Sequence, residues 1–240
     1  MTITFWTIVC RSLFLMLLLS TCGGAVSSQS SIFFVPSTDT EAKKKLTIYA
    51  ESYAHFDKYE KGGFQTYGSS VNYGLSKNVE IGVNYYFTDD ANGSASELQP
   101  NIKWKAYDNE KKGVAVAVGS LVFIPLNDVA GNKTSAMFYA NASKTFESAK
   151  GMRLTGGIYR MANTDQEFGT KTGALVGFEQ PITEKLTLLA DWTSGKNRLG
   201  YSNIGFGYGI KKSQYLAVGY TFGNSGRANN FLSVFYGFTF

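Results

Sequence analysis

From Leu46 to Phe240 the side chains alternate between apolar and polar with period two, in segments of about 10 to 14 residues divided by turn-forming residues. Period two places successive side chains on opposite faces of an extended chain. In the last segment Leu232, Val234, Tyr236, Phe238 and Phe240 share one face, and Ser233, Gly237 and Thr239 the other. In Leu216–Phe222, Leu216, Val218, Tyr220 and Phe222 oppose Ala217, Gly219 and Thr221. No stretch sustains the helical period. The chain is therefore expected to be all-β, with twelve such segments.

The connections alternate as well. Ser76-Lys77-Asn78, Asp108–Lys112, Glu147–Lys150, Pro181–Glu184 and Lys212-Ser213 are tight. Asp89–Ser96, Asn127–Asn132, Thr164–Phe168, Lys196–Leu199 and Asn224–Asn229 tend to be longer and richer in Gly, Asn and Asp. Alternation alone leaves open which face is inside, since a soluble β-sandwich alternates too. Three features favour apolar-out. The segments exceed the ~5–6 residues usual in soluble sheets and match the ~9–11 of a tilted membrane-spanning strand. The polar face is rich in glycine and in charges of both signs. Aromatics gather at segment ends, as in interfacial girdles (Tyr85, Phe87, Tyr107, Phe146, Trp192, Phe222, Phe238, Phe240).

On these features Leu46–Phe240 resembles the bacterial outer-membrane β-barrel proteins of the porin-like class. The sharpest mark is the end, Phe231-Leu-Ser-Val-Phe-Tyr-Gly-Phe-Thr-Phe240. An alternating aromatic strand closed by Phe240 is similar to the signal read by the barrel-assembly machinery. The resemblance implies one antiparallel up-and-down transmembrane barrel, contact with outer-membrane lipid, and both termini on the short-turn, periplasmic side. Fold does not fix function, so it names no substrate.

Ahead of the barrel, residues 1–25 read as a signal peptide. Arg11 is their only charge, and it precedes an apolar run, Ser12–Leu19, too short to span a bilayer. Small residues follow, and cleavage after Ala25 fits them. Leu19-Ser20-Thr21-Cys22 resembles a lipoprotein cleavage box, although Thr21 departs from the usual Gly or Ala. Cys10 and Cys22 are the only cysteines, so cleavage after Ala25 leaves a chain without disulfide or thiolate metal site. Residues 26–45, rich in Ser and Thr, read as a periplasmic linker.

Aromatics make up 15% of the chain, but mean hydropathy is slightly negative, which excludes a bundle of membrane helices. The net charge of +5 is dispersed, with no basic block for nucleic acid. His55 is the only histidine and no serine is paired with it by the pattern, so neither a Ser–His–acid site nor a zinc centre is expected. No cofactor is expected. Gly205-Phe-Gly-Tyr-Gly209 falls on alternate strand positions, which suits glycines facing a narrow lumen better than a phosphate loop. Asn92, Asn132 and Asn141 head chance matches to glycosylation sequons.

One constellation remains, on the polar face. Glu51, Asp57, Glu80, Glu179 and Asp191 stand against Lys103, Lys105, Arg153, Lys171 and Lys211. All but Asp57 are the expected lumen lining. Balanced signs predict weak ion selectivity. Tyr49, Tyr53, Phe231 and Phe235 also point inward, and a gate must come from such side chains or from the linker. The expected function is a narrow passive pore for small polar solutes. The alternatives are a non-conducting structural or adhesive barrel and a lipid-modifying barrel enzyme.

Overall fold

The computed structural model describes residues 30–225 and 229–240. The expected signal peptide, its cleavage site and any lipid on Cys22 lie outside the described residues. Twelve strands follow one another: β1 (Leu46–His55), β2 (Phe64–Gly74), β3 (Val79–Asp90), β4 (Gly93–Asn109), β5 (Val114–Pro125), β6 (Ser135–Phe146), β7 (Met152–Ala162), β8 (Thr172–Pro181), β9 (Leu186–Thr193), β10 (Tyr201–Lys211), β11 (Gln214–Gly223) and β12 (Phe231–Thr239). Each pairs antiparallel with the next. β1 also pairs with β12, Thr47 opposite Thr239 and Ala54 opposite Leu232, and this closes an up-and-down barrel. Closure leaves no sheet edge unpaired, the condition for a sheet to stand in lipid. At the seam the Phe240 N–H donates to the Leu46 carbonyl at 2.8 Å, and the Phe238 and Phe240 rings lie 4.6 Å apart.

The two faces separate as the alternation requires. Ile48, Ile81, Val83, Ile102, Trp104, Phe138, Ile158, Ile204, Phe206, Val218 and Tyr220 are exposed on the outer wall. Thr47, Glu51, Ser70, Glu80, Lys103, Asn141, Thr155, Asp191, Asn203, Thr221 and Ser233 are buried inside. An apolar surface girdling the whole barrel is far beyond the patch a water-soluble monomer exposes, and it suits lipid. The rims differ too. One carries tight turns such as Glu110–Lys112, a single 3₁₀ turn in which the Asn109 side chain accepts the Lys112 N–H and Gly113 closes at φ +60°. The other carries most of the longer loops.

Two departures from the alternation have local causes. The stretch 89–96, expected as a loop, is mostly strand: Asp89 pairs with Ser94 and Asp90 with Gly93, so β3 and β4 meet in a two-residue turn. Asp, Asn, Ser and Gly read as loop residues, yet above the apolar band a ladder needs no apolar face. In β10 a bulge between Gly209 and Lys211 breaks the inward–outward alternation near the strand end.

The segment 30–45, expected as a periplasmic linker, lies inside the barrel. Lys45 begins at the short-turn rim, where the Lys44 N–H donates to the Gly74 carbonyl at 2.8 Å. The chain then runs inward and folds back as a hairpin. Ser31 bridges Pro36, the Ile32 N–H donates to the Val35 carbonyl at 2.9 Å, and the Ser37 N–H donates to the Ser30 carbonyl at 3.0 Å. Ile32, Phe33 and Val35 are almost wholly buried.

Candidate functional site: the lumen and the segment that fills it

The apolar tip of the hairpin organises two buried clusters. Ile32 and Phe33 pack with Tyr53, Leu189, Ala217, Phe231 and Phe235. Val35 packs with Phe123, Met137, Tyr139, Tyr159, Met161 and Leu175. The wall yields space for them at glycines: a Cβ on Gly177 would lie 2.2 Å from Ile32 Cδ1, and one on Gly219 only 2.5 Å from Phe33 Cζ. Replacing Gly219 by Val is therefore expected to displace Phe33 and to cost about 1–3 kcal/mol through overpacking. Thermal unfolding in detergent checks this against Gly156→Val, because nothing lies within 4 Å of a Cβ built at Gly156. Equal losses in the two variants would contradict the packing role.

Polar anchors hold the limbs. Asp191 Oδ2 accepts three consecutive backbone N–H groups, from Phe33 at 2.9 Å and from Phe34 and Val35 at 2.8 Å each. Its Oδ1 accepts from Asn203 Nδ2 at 2.5 Å. Such a nest of backbone amides around a carboxylate is a charge-assisted site with directional specificity. Asn141 Nδ2 donates to the Pro36 carbonyl at 2.6 Å, and the Thr38 and Ser143 hydroxyls meet at 2.6 Å. Arg153 bridges Asp39 on the segment and Glu179 on the wall, and Lys105 stands 3.9 Å from Asp39 and 3.3 Å from Asp108. Glu80 accepts from both the Ser30 hydroxyl and the Glu41 N–H and pairs with Lys103 at 3.5 Å. The two limbs of the hairpin thus meet at Glu80.

Of the lumen residues expected from alternation, Glu80 and Lys103 form one group, Lys105, Arg153 and Glu179 a second, and Asp191 holds the hairpin tip. Glu51 sits apart, accepting hydroxyls from Ser70 at 2.5 Å, from Tyr86 at 2.8 Å and from Tyr53. Lys171 and Lys211 are exposed and join neither group. Lys171 precedes the first residue of β8, and Lys211 follows the bulge of β10. His55 meets the Asn230 carbonyl through Nδ1 and stacks on Phe64 at 6.2 Å.

Sequence reasoning missed Ile32, Phe33, Val35 and Asp39, which act from the segment itself. It also missed Arg198. From the β9–β10 loop Arg198 crosses the mouth to Glu97 on β4 at 2.6 Å and lies 4.9 Å from the Phe123 ring centroid. A lone Arg in a polar loop carries no pattern that points across a barrel. Beneath it, beside the hairpin, a cavity of about 650 Å³ reaches from Asp90, Ala95 and Val129 at the loop rim down to Ser30 and Lys103.

A closed twelve-stranded antiparallel barrel, apolar outside and polar within, has the fold of the outer-membrane β-barrel proteins. Among solved structures it is similar to an outer membrane channel from Pseudomonas putida F1, with a TM-score of 0.58 at 12% identity over 84% of this chain and 97% of that one. It is similar also to the KdgM porin, with a TM-score of 0.57 at 8% identity over 81% of this chain and 99% of that one. No family model and no curated protein matches the chain.

Proposed function

We propose that the protein is an outer-membrane pore for small polar solutes whose lumen is closed by its own N-terminal segment and conducts when that segment yields. In this reading residues 1–25 direct export, Phe240 presents the terminal strand to the barrel-assembly machinery, and the short-turn rim faces the periplasm. The observation that carries it is how the lumen is filled. Side chains alone fill the interior of eight-stranded barrels, and twelve strands leave a wider bore. Here a continuous segment is held by hydrogen bonds and ion pairs, all reversible, in front of a charged wall, with a cavity beside it. Glu80, Lys103, Lys105, Arg153 and Asp191 hold the segment, Glu179 braces Arg153, and when the segment leaves all six line the path; Glu51 lines the cavity. Among the described residues the hydrogen bond of His55 goes to a backbone carbonyl and not to a serine, which supports the pore reading over a lipid-modifying enzyme.

The test is a reversible lock. With Thr38→Cys and Ser143→Cys in a chain starting at Val26, the two side chains already in contact are expected to form a disulfide. In planar bilayers the reduced protein is expected to show discrete conductance steps, and oxidation to abolish them. Absence of steps in both states would overturn the pore reading.

A further inference from the structure

The cavity beside the hairpin has chemistry of its own. Glu51, Glu80, Asp90 and Glu97 face it against Lys103 and Arg198, an excess of two negative charges. Glu80 is paired with Lys103, and Glu97 with Arg198. Glu51 is buried and joins none of the ion pairs found among the described residues. Its two oxygens accept three hydroxyl hydrogen bonds. A carboxylate offers about four acceptor positions, so one remains.

Around it the wall is aromatic. The Tyr53 ring lies 5.2 Å from Phe34, 5.5 Å from Phe235 and 6.0 Å from Tyr86, measured between centroids. All four line the cavity. A cation is favoured twice in such a place. It meets an anionic group poorly screened by water, and it meets π faces that attract positive charge. The aromatic surface also rewards an apolar body on the ligand, which a hydrated metal ion lacks.

We infer that this cavity binds organic cations, amines carrying a compact apolar or aromatic body, with Glu51 receiving the ammonium group and Phe34, Tyr53, Tyr86 and Phe235 enclosing the rest. The inference deepens the proposed pore by naming a solute class. It rests on that reading only for passage, since the closed lumen itself forms the site.

Binding is read at equilibrium, by calorimetry on the folded full chain in a zwitterionic detergent, so its failure is distinct from a failure to conduct. The probes are phenethylammonium, 2-phenylethanol and phenylacetate, alike in size and different in charge. Phenethylammonium is expected to bind at least about ten-fold tighter than the alcohol, and phenylacetate weakest, because a tenfold ratio needs only a modest charge interaction. Glu51→Gln is expected to erase the preference, bringing the ammonium down to the affinity that the alcohol has for the same variant. Equal affinity of the three probes for the wild type would overturn the inference without any variant. So would an ammonium preference that survives Glu51→Gln, which would place the site elsewhere.

Discussion

A barrel starting at Leu46, without the segment 30–45, is expected to hold an ion current that stays open in planar bilayers. The deletion removes the tip that joins both apolar clusters, and with it Asp39 between Arg153 and Lys105. Water then reaches Leu175, Leu189 and Tyr159, now almost wholly buried. Burying a large apolar side chain is worth about 1.5–3 kcal/mol, so losing Ile32, Phe33 and Val35 removes about 4.5–9 kcal/mol of burial. The shortened barrel is therefore expected to unfold at a clearly lower temperature, read as the shift from folded to unfolded migration on a detergent gel. If it stays closed to ions while folded, the wall side chains alone block the lumen.

The second large effect comes from one carboxylate. Asp191→Ala leaves the three N–H groups of Phe33, Phe34 and Val35 without their acceptor in a buried place. A hydrogen bond to a charged group contributes about 1.5–3 kcal/mol, and an orphaned buried donor costs about 1–3 kcal/mol. These contributions are not additive, and a total of about 3–5 kcal/mol is expected. The strands keep their own ladders, so the loss falls on the segment. Hydrogen exchange at residues 33–35 is expected to quicken far more than exchange in β6 or β7, and conductance steps to become frequent. Asp191→Asn, which keeps one carbonyl oxygen, is expected to fall between. Uniform quickening of the whole barrel would mean that Asp191 supports the wall instead.

Much of this fold was legible because period two is a strong signal when sustained over ten residues. Every strand was readable, and so was the inward direction of Glu51, Glu80, Lys103, Arg153, Glu179 and Asp191. The failures have physical sources. Alternation extended through the bulge, which leaves no mark in the residue types, points Lys211 inward, and the structure leaves it exposed. Lys171 lies one residue before β8, where alternation no longer sets the direction of a side chain. The segment 30–45 has no period, so its serines and threonines suggested a solvated linker. Its one signal was Ile32-Phe33-Phe34-Val35 ahead of Pro36, an apolar run that a chain in water would hide. Which wall would hide it depends on contacts some 150 residues away, such as Phe33 with Asp191, and local pattern carries no such information.

The return of the hairpin to Glu80 sets how the segment responds to force. Both limbs reach the same rim, so tension from that side does not drag the tip through the barrel. It opens the contacts in turn, Glu80 first, Asp39 and Thr38 next, and the nest around Asp191 last. Contacts loaded in sequence need at most the force of the strongest single one, whereas contacts loaded together resist together. Pulled from the rim where it enters, the segment is therefore expected to release its contacts one at a time, whereas a load from the mouth that Arg198 spans meets them together.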